Sequence, residues 1–173
     1  MTQLQRKVAF ITGGSKGIGF GIAKVLLQKG IHVAITSRSL ESAQKAANQL
    51  SVFAADSAKV LALKADVRDY QQQQDAVKAT ERTLGSIDIV IANAGLGVFG
   101  SIEDITIEGW NQVIETNLTG VFYTLKSTFG SLKKTKGYYI TISSLAGTNF
   151  FAGGTAYNAS KFGVTGFTQA AML

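Results

Sequence analysis

The chain has 173 residues, of which 46% are hydrophobic and 16% charged, and its formal net charge is +6. That composition excludes a disordered segment and predicts one globular domain with a sizeable buried core. No apolar run approaches the roughly 18 residues a membrane span needs. With no cysteine there is no disulfide framework or thiolate site, and the single histidine, His32, excludes a multi-histidine metal centre, so no metal is expected. The opening residues, Met1 to Lys7, lack the long apolar stretch of a secretory leader, and a cytoplasmic protein is expected. The 17 basic residues are scattered, apart from Lys133, Lys134 and Lys136, which suit a helix end. No aromatic-interleaved basic stretch accompanies them, so the expected anionic partner is a phosphorylated small molecule rather than a nucleic acid.

The predicted elements alternate between two periods. Val8–Ile11 is a short apolar strand, followed by glycines and then by Ile18, Ile22, Val25 and Leu26 at helical spacing. Gly30 sits where a helix-terminating glycine belongs, and residues 33–35 form the next strand. A helix over residues 43–50 leads to a third strand at 60–63. Another helix covers about 72–84, and residues 87–92 form a fourth strand, largely apolar on both faces. One long helix is expected from near Glu108 to about Leu132, then a fifth strand over 138–142 and a helix from residue 156 onward. Strands apolar on both faces and separated by helices mean a parallel sheet covered on both sides. The expected fold is therefore α/β: a Rossmann-type doubly wound sheet in three αβα layers, forming one dinucleotide-binding domain over 1–173. The apolar stretch 162–173 stops without a cap, and nineteen glycines stand against no proline. Both suggest a domain lacking its C-terminal strands.

Directly after the first strand comes Thr12-Gly13-Gly14-Ser15-Lys16-Gly17-Ile18-Gly19, which opens a helix. Glycines let the backbone approach a pyrophosphate, and a helix N-terminus supplies N–H donors and positive potential. After the second strand, where an NAD site usually places a carboxylate, the chain reads Thr36-Ser37-Arg38-Ser39. Arg38 can grip a 2′-phosphate bidentately and Lys16 can reach the same group, which favours NADP(H).

Tyr157-Asn158-Ala159-Ser160-Lys161 places a phenol and an ammonium at i and i+4 on one helix face. A free phenol ionises near pH 10, too high for a base at neutral pH, and a cation about 4 Å away favours the ionised form. Tyr157 is thus a candidate general acid for a carbonyl being reduced, with Ser144, at the end of the fifth strand, donating to the developing oxyanion.

With these residues in place the chain resembles the short-chain dehydrogenase/reductase family, and of its members the NADP(H)-preferring type, over nearly its whole length. It carries the family's TGxxxGxG loop as Thr12 to Gly19 and a form of its NNAG motif as Ala92-Asn93-Ala94-Gly95. The resemblance implies that Asp66 contacts the adenine and that Asn117 supports the catalytic lysine through water. It selects Ser144 over Ser143 by the family's spacing to Tyr157. It further implies a catalytic set of Ser144, Tyr157, Lys161 and Asn117. The cofactor contacts it implies come from Thr12, Gly13, Ser15, Lys16, Gly17, Ile18 and Gly19, from Ser37, Arg38, Asp66 and Val67, from Asn93, Ala94 and Gly95, and from Tyr157 and Lys161. The implied activity is hydride transfer between NADP(H) and a carbonyl or alcohol substrate, of the 3-oxoacyl-thioester reductase type or a related ketone reductase. The alternative is an NADP(H)-binding sensor or scaffold, although such relatives lose the tyrosine or lysine that this chain keeps. Family members are longer, and the remainder would hold further strands and a mobile loop over the substrate. Residues 97–101 and 148–154 are expected along the near side of the substrate pocket, where Phe99, Phe150 and Phe151 offer an apolar wall or pack on neighbouring helices. A homodimer or homotetramer through the two long helices is implied as well.

Overall fold

A computed structural model of the chain describes residues 7–55 and 57–171. Residues 1–6 of the opening segment and the last two residues of the expected terminal helix lie outside them. The elements run β1 (Val8–Ile11), α1 (Gly17–Gln28), β2 (His32–Ser37), α2 (Leu40–Ser51), β3 (Val60–Lys64), α3 (Tyr70–Leu84) and β4 (Ile89–Ala92). Then follow α4 (Ile107–Ile114), a π turn (Glu115–Thr119), α5 (Gly120–Thr135), β5 (Tyr138–Thr141), a 3₁₀ turn (Leu145–Gly147) and α6 (Thr155–Ala171).

The five strands pair in parallel in the order β3-β2-β1-β4-β5, the doubly wound topology expected from the sequence. Alternation along β1 divides the core. Ala9 and Ile11 join Val33 and Ile35 of β2 against Ala23 and Leu27 of α1 and Ala46 and Leu50 of α2. Val8 and Phe10 join Ala34 and Val90 against Ala76 and Val77 of α3 and Leu132 of α5. A third cluster joins Ala92 to Val121 and Val164, bringing α6 beside the end of β4. β1 has no exposed side, which is why its four residues read as a continuous apolar run. No sixth strand pairs with β5 among the described residues, and Tyr138 and Ile140 on that strand are exposed. No helix among them is long and apolar enough to cross a membrane.

Helix ends follow their local chemistry. At the end of α1 the Gly30 amide donates to the Leu27 carbonyl and the Ile31 amide to that of Leu26, with Gly30 at φ 76°. This is the glycine-terminated double bond that Gly30 predicts. Lys133 and Lys134 lie in the last turn of α5, where cations suit the helix dipole, and Lys136 closes it in the left-handed region.

Two expectations are corrected. The fourth strand begins at Ile89, not Ile87, because the Ile87 amide donates to Ser131 Oγ (2.8 Å) and its carbonyl accepts from Thr135 Oγ1 (2.9 Å). Side chains of α5 take the backbone bonds a sheet would otherwise have used. The single long helix is divided by the π turn at 115–119. Widening from i→i+4 to i→i+5 bonding turns the helix phase, as π turns do beside functional sites. Just beyond it, Gly120 lies so close to Val67 that a Cβ there would stand 2.8 Å from Val67 Cγ2. Within the π turn itself Asn117 is buried and bonded to Leu96 and Ser160.

Candidate active site

The carboxyl ends of β3, β2, β1, β4 and β5 border one cavity of about 670 Å³. It straddles the point between β1 and β4 where the strand order reverses, the place where open α/β sheets bind ligands. Four interstrand spacings give it a span of about 19 Å.

Its floor is the loop between β1 and α1. Gly13 and Gly17 sit at φ 65° and 59°, a region open to glycine, and a Cβ on Gly13 would lie 2.9 Å from Ala94 Cα. At Gly17 the same Cβ would meet nothing within 4 Å, so the backbone there faces open space. Ser39, Asp69 and Thr106 cap α2, α3 and α4 with their side chains, whereas α1 has no side-chain cap and no acid in its first turn. Its first N–H groups and their positive potential are thus directed at the cavity, which fits a pyrophosphate. The loop is laced to β4. Thr12 Oγ1 accepts from the amides of Asn93 (3.0 Å) and Ala94 (3.1 Å), and Asn93 Nδ2 donates to the carbonyls of Thr12 (2.9 Å) and Gly13 (3.1 Å). Gly19 is needed for that seam, since a Cβ on it would stand 2.5 Å from Asn93 Nδ2 and 2.7 Å from the Gly13 carbonyl. Gly19→Ala should cost about 1–3 kcal/mol by overpacking and weaken cofactor binding with it. Urea unfolding read beside a binding titration checks this; an unchanged midpoint would remove Gly19 from the seam.

At the β2 end the cavity adjoins a second basin of about 450 Å³, bounded by Ser15, Lys16, Ser37, Arg38, Ser39, Ser42 and Lys45. Three cations thus surround one hollow beside the amino end of α2. On the β3 side, Asp66 and Val67 line the main cavity. The Arg68 guanidinium grips both Asp66 carboxylate oxygens (Nε 3.1 and 3.2 Å, Nη2 2.7 Å). Chiefly through that hydrogen bonding, and against its own partial burial, the Asp66 carboxyl is held below the usual carboxylate range.

At the β5 end stand Tyr157 and Lys161, one turn apart on α6, with Ser143, Ile142 and Phe99. Lys161 is 6% exposed, its Nζ donates to the Ile142 carbonyl (2.8 Å), and it lies 5.7 Å from the centroid of the Tyr157 ring. Burial pulls its ammonium down from the ordinary lysine range. Ser144 Oγ accepts from the Ala146 amide (3.1 Å) at the start of the 3₁₀ turn, a bond that orients the hydroxyl and leaves its proton to donate. Asn117 is buried in the π turn. Its Oδ1 accepts from the Leu96 amide (2.9 Å), and its Nδ2 donates to the Leu96 carbonyl (2.8 Å) and Ser160 Oγ (3.1 Å).

The structure therefore gathers around one cavity Gly13, Ser15, Lys16, Gly17, Ile18, Ser37, Arg38, Asp66, Val67, Asn93, Ala94, Gly95, Tyr157 and Lys161. Thr12, Gly19, Asn117 and Ser144 are not among its lining residues, whereas Ser143 is. Ser42 and Lys45 are not legible as site residues in the sequence, because only the packing of α2 beside the β1–α1 loop brings them to Lys16 and Arg38. With the helix starting at Leu40, Ser42, Lys45 and Gln49 share one face, at i, i+3 and i+7.

A family model described as short chain dehydrogenase matches residues 7–173. Among curated relatives, the chain is 38% identical to a glycine betaine reductase of Emericella nidulans, over 98% of this chain and 13% of that protein's length. It is 35% identical to an uncharacterized oxidoreductase of Staphylococcus aureus, over 98% of this chain and 71% of the relative. An alcohol dehydrogenase of the archaeon Thermococcus sibiricus, solved with 5-hydroxy-NADP, superposes with a TM-score of 0.89 at 33% identity, covering 95% of this chain and 69% of the other. A short-chain type dehydrogenase/reductase from Mycobacterium marinum gives the same score at 30% identity, over 97% and 66%.

Proposed function

The chain belongs to the short-chain dehydrogenase family, a family of oxidoreductases, and from that premise we propose that it transfers a hydride between NADP(H) and a carbonyl or alcohol carbon. The observation that carries this reading is one cavity shared by Lys16 and Arg38 at one end and Tyr157 and Lys161 at the other. The nicotinamide, when bound, supplies or accepts the hydride at the reacting carbon. Tyr157 gives its phenolic proton to the carbonyl oxygen as the alcohol forms, and takes it back in the reverse direction. Ser144 donates its hydroxyl hydrogen to the same oxygen and stabilises the charge that develops there. Lys161 holds positive charge beside the phenol and donates to the ribose hydroxyls. Asn117 acts through position: by fixing both backbone groups of Leu96 it holds the loop after β4 against α6, and the π turn that carries it shifts backbone bonding so that a carbonyl there can hold a relay water. Asp66, its carboxyl held below the usual range by Arg68, would help hold the adenine end of the cofactor.

The choice of NADP(H) rests on charge. Lys16, Arg38 and Lys45 surround the basin beside the cavity, and the hydroxyls of Ser37, Ser39 and Ser42 border it. A 2′-phosphate there meets three cations, whereas a ribose hydroxyl leaves them facing one another. Exposed Phe122 and Phe129 on α5 and Phe162 on α6 are where we place the subunit contact of a dimer or tetramer.

Titrating NADPH and NADH separately, followed by nicotinamide fluorescence, tests the assignment. NADPH should bind at least about tenfold tighter, and Lys16→Ala or Arg38→Ala should each weaken NADPH about 10-fold or more while leaving NADH nearly unchanged. Lys45→Ala should act in the same direction by less. Equal or tighter binding of NADH would reverse the cofactor assignment. Binding of NADPH without turnover of any carbonyl would favour a sensor instead.

A further inference from the structure

We propose that Phe99 is a specificity-determining wall of the reaction cavity, selecting a neutral ketone that carries a flat apolar group, typified by an aryl ketone; this rests on the oxidoreductase reading above.

Phe99 is in ring contact with two other aromatic side chains. Phe99 meets Tyr157 edge-on, with centroids 5.5 Å apart and planes at 60°, and the Phe151 ring lies 6.0 Å from that of Phe99. Phe99 lines the cavity, and the cluster includes the phenol that donates the proton. Both phenylalanines are held by the backbone. The Phe99 ring is folded onto Gly97, where a Cβ would collide with Phe99 Cζ and stand 2.7 Å from Cε2. The Phe151 ring is folded onto Gly154 in the same way, with Cε2 2.6 Å and Cζ 2.7 Å from the position of a Cβ. The two loops are in turn joined to each other: Gly100 pairs with Gly154 in an isolated parallel bridge, and the Gly100 amide donates to the Gly153 carbonyl at 2.9 Å. Any side chain at Gly97 or Gly154 would displace a ring, so these glycines act as seats.

A wall fixed in advance lowers the ordering cost of binding, and aromatic faces reward a flat apolar partner. Yet Phe99 remains 60% exposed and Phe151 47%, leaving apolar area beside the reacting phenol for a substrate to cover. Charge decides against a cationic substrate. Among the described residues lining the cavity the one carboxylate is Asp66, on the β3 side and already gripped by Arg68. The cation nearest the aromatic cluster is Lys161, which repels a second positive charge there.

The test compares kcat/KM for acetophenone, hydroxyacetone and betaine aldehyde with NADPH, using the whole chain and its Phe99→Ala, Phe99→Leu and Gly97→Ala variants. Acetophenone should lead hydroxyacetone by about tenfold, and Phe99→Ala should remove that preference, mainly through KM. Phe99→Leu should fall between, and Gly97→Ala should move the ratio in the direction of Phe99→Ala. An NADPH dissociation constant within about twofold of the parent's establishes that the variants are folded. An unchanged ratio in Phe99→Ala, or betaine aldehyde turned over better than acetophenone, overturns the wall. Acetophenone binding, with and without NADPH, is read separately by saturation-transfer NMR. If no carbonyl is turned over but acetophenone binds and loses that binding in Phe99→Ala, the wall stands and the oxidoreductase reading falls. If acetophenone does not bind at all, the wall falls.

Discussion

Tyr157→Phe is expected to lower kcat for carbonyl reduction by about 10²–10⁴-fold while NADPH binding changes little. The substitution removes one oxygen and keeps the ring. The edge-on contact with Phe99 and the place of the side chain on α6 therefore survive, and the fold should be undisturbed. On the proposed mechanism, what is lost is the acid that meets the carbonyl oxygen at the moment the hydride arrives. Ser144 can still donate a hydrogen bond, but its hydroxyl cannot release a proton at neutral pH, so it stabilises charge without neutralising it. Steady-state rates paired with a fluorescence dissociation constant separate the two effects. A loss below about tenfold would assign the proton to another group and remove Tyr157 from the mechanism.

The expected fold was readable where local chemistry alone decides the structure. β1 is apolar at every position because both its faces are covered, and Gly13, Gly17 and Gly30 all adopt the positive φ that their loop positions demand. The residues of the glycine loop could likewise be named from spacing, since the turn between β1 and α1 is built from consecutive residues. What escaped was set by distant partners. Nothing in the residues 115–119 marks an i→i+5 turn, because that winding answers the contact of Gly120 with Val67 across the sheet edge. The pairing of Ile87 with Ser131 and Thr135 is equally non-local, so an apolar residue beside a strand was counted into it. The two serines after β5 show the same limit at finer scale. Successive residues in extended backbone point to opposite sides. Ser143 Oγ is therefore turned to Thr165 Oγ1 of α6 (3.4 Å) while Ser144 Oγ accepts from the Ala146 amide, and spacing to Tyr157 alone carries no information about that division.

Lys161→Met separates chemistry from stability. Turnover should fall about 10²–10³-fold, because the charge beside the phenol disappears. Methionine keeps much of the length and apolar stem, so α6 should still pack. The stability of the two proteins should then diverge with pH in a defined direction. Burial lowers the folded-state ionisation of Lys161 from its ordinary value of 10.5. Below the lowered value the lysine is protonated in both the folded and unfolded chain, so the full cost of burying the cation is present. As pH rises into the window between the lowered value and 10.5, the folded protein releases its proton before the unfolded chain does, and that cost is relieved. Wild-type stability should therefore improve relative to Lys161→Met as pH climbs through that window, when both are measured by urea unfolding. A difference that stays flat up to the ordinary lysine range would mean that the Ile142 carbonyl, 2.8 Å from Nζ, solvates the ammonium as well as water does. A rising difference means that the fold holds a buried cation at a net cost, which identifies Lys161 as a group kept for its charge beside Tyr157 rather than for packing.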